Sequence, residues 1–563
     1  MRAGFLGRLV VERSGAGEGL SRPPWDVERG RRVCWRATTA LELSYDGLMP
    51  RSRRHEGWLR AARVSARGGA LASLLLALPS CMVGPDAAPV VDAPAADALR
   101  APARDGVASD QPVAAKWWEL VDDPTLHELV ARAEANNTSL EASLGAVRAA
   151  YAGVGVSEAQ LWPTVGLGAQ YARTLTNIAQ LAAEGVRSEP YNMYAYGIGM
   201  SAWEIDLWGS VKRQVELAKA DAAKQVELLR DALVSVRAQV GAVYGQLRTL
   251  EARRAVLVRS VEVYSSIRDT VRARYDAGVV TALDLARVDA QLDAARAQLP
   301  QVDAGIAGAV AQLAVLCGTE PAEISGVLNA ESVIPAVPEV VGIGLPADLV
   351  ERRPDVRAAR EELRAATERI GIAQAAKLPT ISISGNFYIA ANSFSGLGDL
   401  ANKAYTIGPA IWWPIFEGGR LDAQAAQQKA LAEAALARYR GAILEALADL
   451  SASTGDFVEA REGVRLAGTA RASAGRAREL AEQQFDAGVT DITVLLDVRR
   501  QELDAERAEV EARGVVLQAF VSLCRALGGG WSDADLDRAA ADAAADTTPD
   551  TTTDTTASTE TDQ

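Results

Sequence analysis

The hexapeptide Tyr275-Asp-Ala-Gly278-Val-Val280 recurs 210 residues later as Phe485-Asp-Ala-Gly488-Val-Thr490. Two flanking motifs recur in the same order at nearly the same shift: Leu161-Trp-Pro163-Thr-Val165 with Leu378-Pro379-Thr-Ile381, and Leu316-Cys-Gly318 with Leu527-Gly-Gly529. A repeat of this length indicates a duplicated domain rather than a solenoid unit. Because glycine tolerates the left-handed conformation that ends a helix, Gly278 and Gly488 predict the tips of two helical hairpins.

An apolar stripe with heptad spacing leads to the first tip. Its members follow a 4-3 spacing, with Arg254 and Arg268 at the two other seam positions: Leu229, Leu233, Val236, Val240, Val243, Leu247, Leu250, Leu257, Val261, Tyr264, Val271 and Tyr275. Such a stripe predicts a coiled coil. No proline lies between Val211 and Ala277, and a helix of that length spans roughly 100 Å, far more than a globular core requires. The second copy is richer in Ala and its stripe is less regular.

Each copy also contains two segments in which apolar residues alternate with small or polar residues, the period of a β-strand. They lie near residues 165–171 and 194–200 in the first copy and near 381–384 and 405–411 in the second, each pair joined by a long polar loop. Strands of about ten residues cross a bilayer when tilted. A water-soluble sheet with one wet face gives the same alternation, so this pattern alone leaves both alternatives open.

Composition excludes several classes of function. The 563 residues are 5% aromatic and 23% charged, and no apolar run reaches the length of about 18 residues that a transmembrane helix needs. After residue 80, 45 basic and 66 acidic residues give a net charge of −21, so we expect no nucleic-acid partner. Two distant histidines and four scattered cysteines form no metal or disulfide pattern. Without paired carboxylates beside a nucleophile or a glycine-rich phosphate loop, we expect no enzyme and no cofactor.

The amino-terminal region has the parts of a secretory signal. A basic stretch at residues 51–67 precedes the apolar segment 68–78 and then Leu78-Pro79-Ser80-Cys81, which resembles a bacterial lipobox with Cys81 as the acylated residue. Two or three acyl chains anchor a protein stably in the membrane lipid. We therefore expect a dispensable extension and lipoprotein signal peptide at 1–80 and a lipid-anchored tether at 81–112. A disordered acidic tail is expected at 532–563.

The two copies divide the rest of the chain. The first repeat is predicted at 113–344, with a strand pair at about 163–203 and a helical hairpin at about 204–317. The second is predicted at 345–531, with a strand pair at about 379–416 and a hairpin at about 420–527. Four strands cannot close a membrane barrel, since about eight are needed and an open edge leaves backbone groups unpaired in lipid. Several chains must therefore contribute strands.

Four further motifs are highly specific in combination. They are Leu345-Pro-Ala-Asp-Leu-Val-Glu-Arg-Arg-Pro-Asp-Val356 with Ala358, Ala359, Glu361 and Ile370-Gly371; Trp117-Trp118 with Asp123-Pro124-Thr-Leu126; Ile407-Gly-Pro409 with Pro414-Ile-Phe-Glu-Gly-Gly-Arg420; and Ala526-Leu-Gly-Gly-Gly-Trp531. From about Cys81 to Trp531 the chain resembles the TolC/OprM-like outer-membrane efflux factors, specifically the lipoprotein branch that serves resistance-nodulation-division pumps. The resemblance implies an α+β membrane protein, a homotrimer whose 12-strand β-barrel continues into a 12-helix α-barrel beside a mixed equatorial domain.

The same resemblance implies function and partners. We expect the outer-membrane channel of a tripartite efflux system, a passive conduit from a periplasmic adaptor and an inner-membrane resistance-nodulation-division pump to the exterior. It would be lipid-anchored in the bacterial outer membrane and extend into the periplasm. The alternatives are a type I secretion channel and a coiled-coil surface lipoprotein without a pore.

Site residues follow from the family pattern at the two tips. The expected adaptor-docking residues are Gly278, Val279 and Thr281 at the first tip and Gly488, Val489 and Asp491 at the second. The expected periplasmic gate is Asp497, nine residues after Gly488, with Arg500 one helical turn beyond it. Val494 stands where the TolC pattern has a second acid, so the gate is predicted from Asp497 alone.

Overall fold

In the computed structural model, residues 82–85, 107–108, 113–175, 190–328, 333–343 and 352–531 are described. The α-helices are, in chain order, Pro124–Asn136 (α1), Thr138–Ala159 (α2), Ser210–Asp276 (α3), Ala282–Leu316 (α4), Pro321–Val327 (α5), Pro354–Ala375 (α6), Arg420–Asp486 (α7) and Ile492–Ala526 (α8). The strands are Val107–Ala108 (β1), Val165–Thr174 (β2), Tyr191–Ile205 (β3), Val341–Gly342 (β4), Thr380–Ala391 (β5) and Lys403–Trp412 (β6). The predicted signal peptide, Cys81 and the predicted acidic tail lie outside the described residues.

The duplication is visible in the lengths of the long helices. Helices α3 and α7 have 67 residues each, and α4 and α8 have 35 each. Gly278 and Gly488 end the long helices with φ values of +75° and +70°, the left-handed region that glycine adopts without steric cost. We call α3 with α4 the first hairpin and α7 with α8 the second hairpin. At 1.5 Å per residue each long helix spans about 100 Å.

The heptad stripe of α3 lies mainly in the interior. Its buried members are Leu229, Val236, Val240, Leu247, Leu257, Tyr264 and Val271, and Tyr275 beside the tip is exposed. Arg254 and Arg268, at the charged seam positions, pair across the hairpin with Asp303 at 2.6 Å and Asp289 at 3.1 Å. The first hairpin is thus closed mainly by apolar packing, with two ion pairs at the seam.

The second hairpin is packed differently. No residue from 458 to 480 in α7 is buried, whereas the equivalent stretch 248–270 of α3 buries five. Ion pairs join α7 to α8 instead: Arg471 with Glu509 at 2.8 Å, Arg478 with Glu502 at 3.0 Å, and Arg499 with Glu482. Arg499 also pairs with Glu502 at 3.1 Å, so four of these charges form one cluster.

A four-stranded antiparallel sheet is formed from the strand pairs of both repeats, in the order β2-β3-β5-β6. The two copies meet at β3 and β5, where Ile198 is opposite Phe387. A bulge between Met200 and Trp203 adds one residue to β3, which keeps both side chains on one face while the strand bends. The long β3, with 15 residues, therefore extends beyond the roughly ten residues that the alternation alone predicts.

The largest hydrophobic core lies where the helices of both repeats meet the amino-terminal motif. Trp117 is buried against Phe520 and Gly241, and a Cβ at Gly241 would come within 2.4 Å of the Trp117 ring. Asp123 caps α1 by accepting from the Thr125 amide at 2.9 Å. The same carboxylate accepts from the buried Tyr244 hydroxyl at 2.5 Å. The Trp-Trp and Asp-Pro motif therefore has a structural role here.

Four shorter helices, α1, α2, α5 and α6, are absent from the sequence-based prediction. Helices α2 and α6 pack against α3, α6 also packs against α7, and α1 precedes α2. Their start signals were present in the sequence: Asp123 and Asn137 cap α1 and α2 through their side chains, and Pro354 opens α6.

Candidate functional site

The four-stranded sheet has one apolar face. Cross-strand register places on it Val165, Leu167, Ala169, Tyr171, Tyr194, Tyr196, Ile198, Met200, Ile381, Ile383, Phe387, Ile389, Tyr405, Ile407 and Ile411. Apart from the buried Ile389, these side chains are half-buried or exposed: Leu167 is 80% exposed, and Ile407 and Ile411 are each 71% exposed. An exposed apolar patch of this extent marks a surface that contacts lipid or another protein.

The opposite face of the sheet carries mainly small and polar residues, with Tyr191, Met193, Tyr388 and Trp412 as the large exceptions. Its members include Gly166, Gly168, Gln170, Ala195, Gly197, Gly199, Ser382, Ser384, Asn386, Thr406 and Gly408. One apolar face and one small or polar face is the pattern of membrane strands that enclose water.

Aromatic side chains lie at both ends of the apolar face. Near the polar loops, Tyr171 stacks on Tyr194 with ring centroids 4.9 Å apart, and Phe394 lies 6.0 Å from Tyr194. At the helical end, the indole of Trp203 donates to the carbonyl of Leu161 at 3.2 Å. Tyr194 and Trp203 are nine residues apart on β3, about 30 Å of strand. When tilted, that length matches an apolar band of about 25 Å between two aromatic girdles.

The tryptophans of the helical end repeat with the duplication. Trp413, 210 residues after Trp203, donates its indole N–H to the carbonyl of Lys377 at 3.2 Å. Trp162 and Trp412 are exposed beside them. Sequence reasoning did not single out this girdle, although tryptophans at the ends of alternating segments were a usable signal.

The two outer strands of the sheet have unpaired edges. Within the described ranges, β2 pairs only with β3 and β6 only with β5. Their outward N–H and C=O groups have no ladder partner in the single chain, which is a template for pairing with another strand.

Both predicted docking tips form the same turn. The amide of Val279 donates to the carbonyl of Arg274 and that of Val489 to Gln484, each at 2.9 Å, as in a Schellman motif. Val279 and Val489 are 71% and 76% exposed. Because a Cβ on either tip glycine meets open space, glycine is needed there for its backbone conformation alone.

The residues after the turns differ. Thr281 forms a capping box with Asp284: the Thr281 amide donates to the Asp284 carboxylate at 2.9 Å, and the Asp284 amide donates to the Thr281 hydroxyl at 3.3 Å. Hydrogen bonds from Thr281 lower the pKa of Asp284. Asp491 begins α8 without a side-chain cap to the helix backbone.

The predicted gate residues contact one another. Arg500 donates to Asp497 at 2.8 Å, and Gln501 donates to the other carboxylate oxygen of Asp497 at 2.8 Å. Both Asp497 and Arg500 are exposed in the single chain. Their pairing within one chain is a fact of the fold, and their role as a gate stays a prediction.

The inter-repeat motif ties the start of α6 to the second hairpin. Arg353 binds both carboxylate oxygens of Asp355, at 3.1 and 2.7 Å, and reaches Asp449 of α7 at 3.0 Å. It also donates to the carbonyl of Ala526 at the end of α8. The Trp531 indole donates to the Arg352 carbonyl at 3.1 Å. The motif is therefore a structural clamp, a role that the sequence alone did not assign.

A family model described as outer membrane efflux protein matches residues 129–319 and 345–529 of this chain. The chain belongs to the outer membrane efflux protein family. The two matched segments lie one on each side of the junction between the copies. The protein is accordingly an outer-membrane component of an efflux system, and its location is the bacterial outer membrane.

Curated relatives agree with this membership. The outer membrane protein OprJ of Pseudomonas aeruginosa is 31% identical over 482 residues, covering 84% of this chain and 97% of OprJ. The pyoverdine export outer membrane protein OpmQ of Pseudomonas aeruginosa is 30% identical over 421 residues, covering 74% and 87% of the two chains.

Solved structures support the fold of this efflux protein. The outer-membrane channel OprN aligns with a TM-score of 0.73 at 32% identity, over 80% of this chain and 100% of OprN. The CmeC outer membrane channel of Campylobacter jejuni aligns with a TM-score of 0.75 at 20% identity, over 82% and 98% of the chains, which bears on the fold alone. The predicted resemblance to TolC-like outer-membrane efflux factors is confirmed, and of the predicted fold the comparisons support a mostly helical chain with a sheet, as in TolC-like outer-membrane channels.

Proposed function

We propose that three copies of this efflux protein assemble into a passive outer-membrane conduit. In the trimer, β2 of one copy pairs with β6 of the next, which closes twelve strands into a barrel and leaves no edge unpaired in lipid. The observation that carries the proposal is the sheet itself, with its exposed apolar face, its small and polar opposite face and two unpaired edges. The apolar face then meets lipid and the other face lines water.

The helices extend this conduit into the periplasm. Each copy contributes the two helices of both hairpins, so three copies supply twelve helices. The tube would be about 100 Å long, which is the length of α3 and α7. The conduit performs no chemistry of its own and acts as the exit of a pump that supplies the energy. The curated relatives are named for pyoverdine export and for efflux of toluene and antibiotics, which supports a small-molecule cargo here.

The two hairpin tips are proposed as the docking sites for a periplasmic adaptor. Each tip presents an exposed valine, Val279 or Val489, on a rigid left-handed turn that holds it away from the body of the chain. Exposed apolar side chains at the end of a long helix suit a partner with an apolar groove. An inner-membrane resistance-nodulation-division pump is the proposed third component.

The start of α8, just after the Gly488 turn, is proposed as the periplasmic gate. Three symmetry-related Asp497 carboxylates near one axis repel one another unless each is paired, and Arg500 supplies that partner within each chain. Such a ring of acids favours cations in the pore. Cys81 is the proposed site of acylation.

Planar-bilayer recording tests the conduit directly. The purified protein is expected to give discrete cation-selective channels, and its mass in detergent is expected to be that of three chains. The double variant Asp497→Ala with Arg500→Ala should raise the conductance, with the exposed pair Arg465→Ala and Glu462→Ala as the matched control on α7. A folded monomer without channel activity would favour a surface lipoprotein without a pore and contradict the proposal.

A further inference from the structure

The first described segment, Met82 to Pro85, lies where the sheet meets the helices. It contacts Trp208, Arg213 and Gly371, and we call this contact surface the seat. The Val83 amide donates to the carbonyl of Trp208 at 3.1 Å, two residues before α3 begins. The Trp208 indole in turn donates to the Pro379 carbonyl at 2.6 Å, immediately before β5. The seat therefore lies at the helical end of the sheet, the same end as the tryptophan girdle.

A buried arginine forms the floor of this seat. Arg213 has no exposed surface and donates to the carbonyls of Val83 at 2.8 Å and Pro85 at 3.2 Å. It also pairs with Glu368 of α6 at 2.8 Å. Burying an ion pair is costly unless further hydrogen bonds satisfy it, and here the bonds come from the amino-terminal segment.

Glycines give the segment room to lie against the floor. Gly84 has a φ of +111°, and a Cβ on it would come within 2.7 Å of the Gly371 Cα. A Cβ on Gly371 would come within 2.3 Å of the Arg213 side chain. Any larger side chain at either position therefore closes the seat. All the hydrogen bonds to Val83 and Pro85 use main-chain atoms, so the seat recognises the backbone path and not the side chains.

We propose that Arg213, Glu368 and Gly371 form a docking seat for the mature amino terminus, which fixes the acyl anchor at the level of the tryptophan girdle. The proposal rests on the proposed acylation at Cys81, which is the residue before Met82 in the chain. Without the seat, the hydrogen bonds that join Val83 and Pro85 to the folded body would be lost. With the seat occupied, the lipid on Cys81 is held at the level of the helical end of the sheet.

Hydrogen exchange of the Val83 amide in the full acylated protein tests the seat. Arg213→Met removes both carbonyl contacts, and Gly84→Ala closes the seat by a change in the segment alone, which leaves the body of the fold intact. In each, exchange at Val83 is expected to rise about tenfold or more, while peptides from residues 234–248 of α3 stay unchanged. Arg254→Met, which breaks an exposed pair with Asp303, is the matched control and should leave Val83 protected.

Arg213→Lys separates the seat from the ion pair. A lysine keeps a charge beside Glu368 but cannot serve both carbonyls with one fixed fork, so partial loss of protection is expected. Any of three results would overturn the proposal. They are full protection of the Val83 amide in Arg213→Lys, protection in Gly84→Ala equal to that of the protein without substitutions, and free exchange at Val83 in the protein without substitutions. The exchange measurement does not depend on the lipid. If mass spectrometry finds Cys81 without acyl chains, the proposed anchor is wrong. Exchange at Val83 decides separately whether the segment is docked in the seat.

Discussion

In the first hairpin Leu257 is buried in the seam of α3, whereas the equivalent position in the second hairpin, 210 residues later, is the half-buried Ala467. Both hairpins have the same helix lengths and the same glycine turn. The backbone of the duplicated unit has thus been retained while the side chains that hold it have diverged. Over residues 458–480 of α7 the second copy uses ion pairs where the first copy uses apolar burial, whereas near the second tip Phe485, Ile492 and Leu496 stay buried.

The difference has a physical consequence. Apolar burial is insensitive to salt, whereas ion pairs at partly exposed positions weaken as ionic strength rises. The second hairpin also leaves large apolar side chains uncovered, with Leu466 and Leu480 more than half exposed. We therefore expect the second hairpin to depend more on neighbouring copies and on solution conditions than the first.

The largest effect is expected from exchanging the seam residues. Leu257→Ala gives the first hairpin the residue that the second has and should lower the free energy of unfolding by about 2–5 kcal/mol, because it leaves a cavity in the seam. The reciprocal Ala467→Leu, at a half-buried position, should change it by less than about 0.5 kcal/mol. Thermal unfolding followed by circular dichroism measures both. Equal costs would remove the distinction between apolar and ionic hairpins.

A smaller effect is expected in the ion-pair cluster. Arg499→Ala removes one of the two arginines that Glu482 and Glu502 share, leaves Arg478 as their remaining partner, and should destabilise the second hairpin locally by about 1–2 kcal/mol. Arg268→Ala in the first hairpin, where the pair with Asp289 is largely exposed, should cost less than about 1 kcal/mol. Hydrogen exchange of residues 466–510 against 256–300 reports the two regions separately.

Salt provides the control for this second prediction. Raising the ionic strength should increase exchange in the second hairpin of the unmodified protein and leave the first nearly unchanged. If both hairpins respond equally to salt, the ion pairs do not distinguish them.

The smallest effect is expected at the tips. Thr281→Ala removes the capping box of α4 and should cost about 1 kcal/mol. Asp491→Ala should cost a few tenths of a kcal/mol, because that side chain makes no capping hydrogen bond to the helix backbone and only accepts from the exposed Thr493 hydroxyl at 3.3 Å beside the helix dipole. Local exchange of the first turns of α4 and α8 measures each.

The first tip should also respond to acid. Hydrogen bonds from Thr281 lower the pKa of Asp284, so the carboxylate stabilises the folded tip above the ordinary Asp pKa of about 4 and this contribution is lost as the pH falls through the lowered value. Exchange at the start of α4 should rise on acidification below about pH 4 in the unmodified protein. Thr281→Ala should weaken that dependence, because only the main-chain hydrogen bond to Asp284 remains, and an unchanged pH response in the variant would assign it elsewhere.

Much of this architecture was predictable because it is periodic. The heptads of α3, the alternating strands and the repeated tip glycines each express one structural period in the sequence. The bulge between Met200 and Trp203 was not predictable, since a shift of one residue in a strand is set by its neighbours in the sheet. The seat of Arg213 was also hidden, because its partners are main-chain carbonyls more than 120 residues away.

The central claim is that the sheet is completed by other copies of the chain, and cysteine pairs between β2 and β6 test it most directly. Within one chain two strands separate β2 from β6, so their Cα atoms lie roughly 14 Å apart, too far for a disulfide. Pairs that combine cysteine at 167, 169 or 171 with cysteine at 405, 407 or 409 should therefore give covalent trimers on oxidation, in a register set by the closed barrel. Monomers without cross-links at every pairing, in a protein inserted in the membrane, would contradict the account.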